Sequence, residues 1–146
     1  MPKLSIITIN LNNAEGLEKT ICSVINQTYS DFEYIVIDGG STDGSVDVIK
    51  KYADKLSYWV SEPDAGIYNA MNKGIRKASG EYCQFLNSGD WLVAPDVTER
   101  MVKDMPDCAI CYGNLITELN GKYKVDKCFQ GEPITLLDIY CGTISH

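Results

Sequence analysis

Three short stretches concentrate the side chains that could bind or activate a small molecule. Residues 10–13 (NLNN), 38–43 (DGGSTD) and 87–90 (NSGD) each gather Asn, Asp, Ser, Thr or Gly directly after an apolar run. Such residues donate and accept hydrogen bonds at short range, and a carboxylate among them can hold a hard cation. The third stretch sits in FLNSGDWL, residues 85–92, where one carboxylate, Asp90, follows a glycine between two apolar flanks. A carboxylate so placed suits Mg²⁺ or Mn²⁺, with diphosphate and water oxygens completing an octahedral shell. An ion at that point would neutralise a leaving diphosphate by Lewis-acid electrostatics.

The elements that must position these residues follow from periodicity. Residues 4–9 (LSIITI), 32–37 (FEYIVI), 57–61 (SYWVS) and 81–86 (EYCQFL) read as strands. Between them, Leu17, Ile21, Val24 and Ile25 recur at helical spacing. Ser41, Thr42 and Asp43 offer caps for a helix carrying Val46, Ile49, Tyr52 and Ala53. Asp64 offers a cap for a helix whose apolar set is Ile67, Ala70, Met71, Ile75 and Ala78. Pro95 opens a further helix reaching about Met105, residues 108–113 (CAICYG) read as a buried strand, and Asn120-Gly121 marks a hairpin. Strands alternating with helices imply a mainly parallel sheet joined by right-handed crossovers, and ligands of such sheets sit beyond the carboxyl ends of the strands. The three polar stretches therefore belong on one edge of the sheet.

Composition narrows the function. The chain has 146 residues, 45% apolar and 23% charged, which suits one domain spanning residues 1–146. A formal net charge of −7 disfavours nucleic acid or an anionic membrane as main partner, since both need a basic face. No window approaches a membrane span, and no leader pattern opens the chain, so the expectation is a cytoplasmic protein, with peripheral membrane association left open. Six cysteines include the pair Cys108 and Cys111, but on a strand those two point to opposite faces, so reduced structural thiols are expected rather than a zinc site. DGGSTDGS has neither the lysine of a P-loop nor the spacing of a dinucleotide fingerprint.

SIITINLNN, QTYSDFEYIVIDGGSTDGS, SEPDAGIYNAMNKGI and GEYCQFLNSGDWL, in that order, resemble the family-2 glycosyltransferases of the GT-A fold, most closely bacterial members that build surface polysaccharides. The resemblance covers nearly the whole chain. It implies a three-layer αβα fold with a small appended hairpin. It also implies inverting transfer of a sugar from a nucleoside diphosphate, usually a uridine one, to a hydroxyl of a polysaccharide or lipid-linked glycan. On it, Thr8, Asn10 and Asn12 would line the nucleoside pocket, Asp38 and Gly39 would occupy two adjacent positions that contact base and ribose, and Asn72 would border the nucleotide. Asn87, Ser88 and Asp90 would fall on the metal motif, with Asp90 as the metal ligand. Asp64, at a strand end, is placed for a sugar or phosphate contact besides its capping role.

Several positions depart from that pattern. Gly39 stands where the second acidic residue is common, Leu11 where an aromatic residue stacks on the base, and Met71 where an arginine nears the phosphates. Asn87 and Gly89 replace two aspartates, leaving one carboxylate in the motif. No catalytic base is assigned: the single histidine is His146, and Asp107, Asp126 and Asp138 match no base motif. Family members continue past the point where this chain ends in GTISH, so the expectation is a donor-binding part whose base and most of whose acceptor site lie beyond residue 146. The glycine replacements also sustain a second reading, a non-catalytic nucleotide-sugar or glycan-binding module that kept the fold. Trp91 is expected to pack beneath the site rather than serve as a sugar platform.

Overall fold

A computed structural model describes residues 1–103 and 115–126. Its elements are β1 (Leu4–Asn10), α1 (Ala14–Ile25), β2 (Phe32–Asp38), α2 (Ser45–Lys51), a 3₁₀ turn (Ala53–Lys55), β3 (Tyr58–Ser61), α3 (Ile67–Lys77), β4 (Tyr82–Phe85) and α4 (Val97–Lys103), then β5 (Leu115–Leu119) and β6 (Lys122–Asp126). The chain divides into two compact units, Met1–Asp104 and Met105–His146.

In the first unit four strands pair in the order β3-β2-β1-β4, every pair parallel. The expected parallel α/β sheet is therefore present. Every residue of β1 is buried, as the continuous apolar run LSIITI requires of a strand covered on both faces. Period-2 alternation sorts the side chains between two helical layers. Leu4, Ile6, Tyr34 and Val36 meet Leu17, Ile21 and Val24 of α1 and Ile49 of α2. Ile7, Ile9, Ile35 and Ile37 meet Ala70 of α3 on the other face. The register sets Asn10 opposite Asp38 and Asp38 opposite Ser61, so three polar residues line up at the ends of adjacent strands.

Three helix expectations need correction. Ile67 and Ile75 are exposed rather than inward, and α3 turns Ala70 and Gly74 to the sheet instead. Close approach explains this, because a methyl group on Gly74 would lie 2.5 Å from Ile7 Cγ2. The second helix starts at Ser45 with Gly44 as its N-cap residue, so of the three expected caps only Asp43 reaches the helix start, from one residue further out. Asp43 accepts from the Ser45 N–H at 3.0 Å and from the Ala14 N–H at 2.8 Å, joining this loop to the start of α1. The fourth helix begins at Val97, two residues past Pro95.

In the second unit β5 and β6 form an antiparallel hairpin. Asn120 and Gly121 both have positive φ (52° and 71°), the type I′ geometry expected of that dipeptide. Among the described residues, Cys22 and Cys83 are free thiols. The expected strand at residues 108–113 and the cysteines at 108, 111, 128 and 141 lie outside the described residues. No helix among the described residues is long and apolar enough to cross a membrane.

Candidate nucleotide site at the strand ends

The polar stretches after β1, β2 and β4 interlock through side chains. Asp38, fully buried, is the centre of the first link. Its carboxylate accepts five hydrogen bonds: from Asn10 Nδ2 (2.7 Å), Ser41 Oγ (2.5 Å), Ser61 Oγ (2.6 Å), and the N–H groups of Ser41 (2.9 Å) and Gly40 (3.2 Å). Burial opposes its charge, but these donors outweigh that and hold the carboxyl below the ordinary aspartate value. With its acceptor capacity filled by its own loop, Asp38 fixes the loop's shape. Direct contact with a base and ribose, the role the resemblance implied, would require it to give up some of these bonds.

Asp38 also fixes the Asn10 amide. With Nδ2 donating to Asp38 and to Ser41 Oγ (3.2 Å), a flipped amide would set an oxygen against a carboxylate. Asn10 Oδ1 is left buried with no partner among the described residues. Asn12, exposed at φ 50°, donates its N–H to Ser41 Oγ (2.7 Å), and its Oδ1 accepts from the Thr42 N–H (2.8 Å). Thr8 sits one layer lower. It is fully buried and its Oγ1 shares a 3.0 Å hydrogen bond with Tyr34 Oη, so it supports the edge from within rather than lining it.

The stretch after β4 is a tight turn. The Leu86 and Ser88 N–H groups donate to the Ile7 and Ile9 carbonyls, extending the parallel ladder past the strand, and the Asp90 N–H returns to the Asn87 carbonyl at 3.0 Å. Gly89 has φ 101°, a conformation that side-chain-bearing residues rarely adopt. Thr20, fully buried on α1, holds the turn: its Oγ1 accepts from the Gly89 N–H at 2.9 Å and lies 2.7 Å from the Asp90 carbonyl, to which its hydroxyl donates. Asn13 caps α1 by accepting from the Gly16 N–H and donates its Nδ2 to the Ser88 carbonyl at 3.1 Å. Further along, Ser23 Oγ accepts from the Leu92 N–H, and Gln27 bridges the Ala94 carbonyl and the Thr98 N–H.

The backbone of Asp90 is thus pinned, whereas its carboxylate accepts nothing from the described residues. Though the residue is exposed, neighbouring protein atoms desolvate the carboxyl and push its pKa up. Among the described residues no cluster of three His, Cys, Asp or Glu side chains could hold a metal by itself. One unpartnered carboxylate fits a hard cation that brings its other oxygen ligands with it.

Of the remaining candidates, Asp64 is half-buried and accepts from the Gly66 N–H at 2.8 Å; it shapes the turn before α3, whose N-cap is Gly66. Gly39 donates its N–H to the Asn10 carbonyl at 2.9 Å, so it joins the same edge. Asn87 is exposed, and Ser88 is held through its backbone. Asn72 is exposed on α3 and its side chain makes no hydrogen bond within the described residues, so nothing ties it to the cluster. Trp91 is half-buried with Lys19 Nζ over its ring. A separate depression lined by Tyr58, Val60, Glu62, Lys73, Arg76 and Lys77 contains none of the candidates. Sequence reasoning missed Thr20 and Ser61, and it placed Asn13 and Ser41 in the polar stretches without giving them these bonds. Thr20 carried a signal, being a polar residue three positions after Leu17 on the apolar face of its helix.

Residues 5–127 match the family model described as Glycosyl transferase family 2. The chain belongs to glycosyl transferase family 2. An uncharacterized glycosyltransferase of Mycobacterium tuberculosis is 46% identical over 103 residues, covering 70% of this chain and 39% of that protein. The GalNAc(5)-diNAcBac-PP-undecaprenol beta-1,3-glucosyltransferase of Campylobacter jejuni is 34% identical over 136 residues, covering 90% of this chain and 43% of that protein. Among solved structures, a mannosyltransferase from Pyrobaculum calidifontis in complex with GDP-Man and Mn²⁺ superposes with a TM-score of 0.67 at 26% identity, over 73% of this chain and 33% of that one. The fold is thus that of the GT-A members of this family. The chain spans about two fifths of the length of these curated relatives.

Proposed function

We propose that this chain is the donor-binding part of an inverting glycosyltransferase. The substrate is a nucleoside diphosphate sugar, with uridine as the base, and the acceptor is a hydroxyl of a polysaccharide or lipid-linked glycan. The carrying observation is the Asp90 carboxylate, unpartnered at the strand-end edge while Thr20 and the 87–90 turn fix its backbone. The mannosyltransferase solved with GDP-Man and Mn²⁺ supports a nucleotide-sugar and a divalent ion, and the undecaprenol-linked name of the Campylobacter relative supports a lipid-linked acceptor. Such an acceptor is met at the cytoplasmic face of a membrane, which gives the proposed location.

Asp90 would hold Mg²⁺ or Mn²⁺ as the one protein carboxylate, and a bound ion supplies Lewis-acid neutralisation of the leaving diphosphate. The chain's own residues do the rest by position. The Asp38 network keeps the β2 loop rigid, and the Asn10–Asp38–Ser41 links tie it to the end of β1. A rigid edge binds without an ordering cost at the moment of binding. Deprotonation of the acceptor is assigned to no residue of this chain.

Calorimetric titration of UDP, GDP and their sugars, with Mn²⁺ and with chelator, tests the reading. Metal-dependent binding that prefers a uridine nucleotide and is lost in Asp90→Ala is expected. Binding of a glycan with no nucleotide at all would instead favour the non-catalytic module.

A further inference from the structure

Gly39 is a glycine for a reason other than backbone shape. Its φ lies outside the positive region, so the conformation there is open to any residue. What excludes a side chain is its neighbours. A Cβ at Gly39 would sit 2.8 Å from Asp64 Oδ2, 3.3 Å from Asp64 Cγ and 3.3 Å from Leu11 Cδ1. Side chains from the loops after β1 and β3 therefore close over a bare backbone at the end of β2.

Neither of these two side chains has its needs met by the fold. Leu11 is 59% exposed, an apolar surface left open at the strand ends. Asp64 uses Oδ1 to accept from the Gly66 N–H at 2.8 Å, and its Oδ2 accepts nothing from the described residues. An apolar plate beside a free carboxylate oxygen complements a flat group that carries O–H or N–H donors on its rim. A diphosphate is not such a group, because its charge would be repelled by Asp64. A nucleoside is. Sheet order separates the two ends of the ligand, since Leu11, Gly39 and Asp64 follow β1, β2 and β3, whereas Asp90 follows β4 on the opposite side of β1.

We infer that Gly39 and Asp64 act as one specificity-determining pair: Asp64, reaching across the space left at Gly39, accepts a hydrogen bond from the nucleoside of the donor while Leu11 packs against its face. This rests on the proposed nucleotide-sugar site and names the residue that reads the nucleoside, a task that the saturated Asp38 carboxylate is not free to perform. The donor to Asp64 is a neutral O–H or N–H, either a ribose hydroxyl or the base N–H.

The test is calorimetry with UDP and Mn²⁺ on the whole chain, with melting curves confirming that each variant folds. Asp64→Asn keeps an oxygen for the Gly66 N–H and is expected to weaken UDP about tenfold or more, as loss of a charge-assisted hydrogen bond should. Gly39→Ala displaces the carboxylate and is expected to weaken UDP similarly. The double variant should be no weaker than Asp64→Asn, because both changes remove one interaction. Either 3-methyl-UDP or 2′,3′-dideoxy-UDP should bind wild type and Asp64→Asn alike, which names the donor. If Asp64→Asn binds UDP within twofold of wild type while Asp90→Ala loses metal-dependent binding, the pair is refuted and the donor site stands. Additive losses in the double variant, or both analogues still discriminating between wild type and Asp64→Asn, also refute it. No UDP binding by wild type overturns the donor site and the pair together.

Discussion

Asp38 and Asp90 are both aspartates at strand ends, yet their surroundings assign them opposite duties. Asp38 is sealed in by five donors and its pKa falls, whereas Asp90 has no donor among the described residues and its pKa rises. Charge-assisted hydrogen bonds contribute more than neutral ones, and leaving buried donors unmet is costly. Asp38→Asn should therefore destabilise the fold by about 2–4 kcal/mol in urea unfolding. Asp90→Ala should leave the urea midpoint unchanged or slightly raised, because it removes a desolvated charge that no described residue stabilises. Nothing in the string IDGGSTD distinguishes these duties. The saturation of Asp38 depends on Ser61, which arrives from β3, and on Asn10, which arrives from β1. The Asp64–Gly39 contact was hidden for the same reason, since residues 25 apart meet only once β2 and β3 pair.

Among the elements, α1 does more than cover the sheet. Leu17, Ile21 and Val24 fill the core, while Asn13, Thr20, Ser23 and Gln27 reach the 87–98 segment. Thr20→Val retains size and shape but removes the acceptor for Gly89 and the donor to Asp90. It should cost about 1–3 kcal/mol of stability and weaken metal-dependent nucleotide binding, although Thr20 itself is buried away from solvent. If binding is untouched while stability falls, α1 is a support for the fold and not for the Asp90 turn. The four strands of the parallel sheet, their pairing and the Asn-Gly hairpin were legible from periodicity and turn chemistry. The inward face of α3 was not. Apolar periodicity selects large residues, whereas a helix lying this close to a sheet selects small ones, here Ala70 and Gly74.

For the molecule as a whole, acid response follows from which carboxylates are held below their ordinary values. Asp38 is one. Glu33, half-buried, is another: burial raises it, but donors from Ser5, Ser79 and Gly80 outweigh that and lower it. A depressed carboxyl contributes stability that is fully present above the unfolded value, about pH 4, and is lost as pH falls through the folded value. Asp90 works in the opposite sense, its raised pKa favouring the fold on the acid side. Urea midpoints should thus decline below about pH 4, and more shallowly in Asp38→Asn than in wild type. An equal decline in both would mean that the Asp38 network contributes little.

The same scale holds the central claim, that a chain of net charge −7 binds a diphosphate by recruiting a cation through one carboxylate. Titrating wild type and Asp90→Ala with UDP in the presence of Mn²⁺, and again with chelator, measures it directly. Saturable binding by wild type only with Mn²⁺, absent in a folded Asp90→Ala, is the predicted result. Equal binding of UDP by wild type and Asp90→Ala in Mn²⁺, or undiminished binding in chelator, would contradict it.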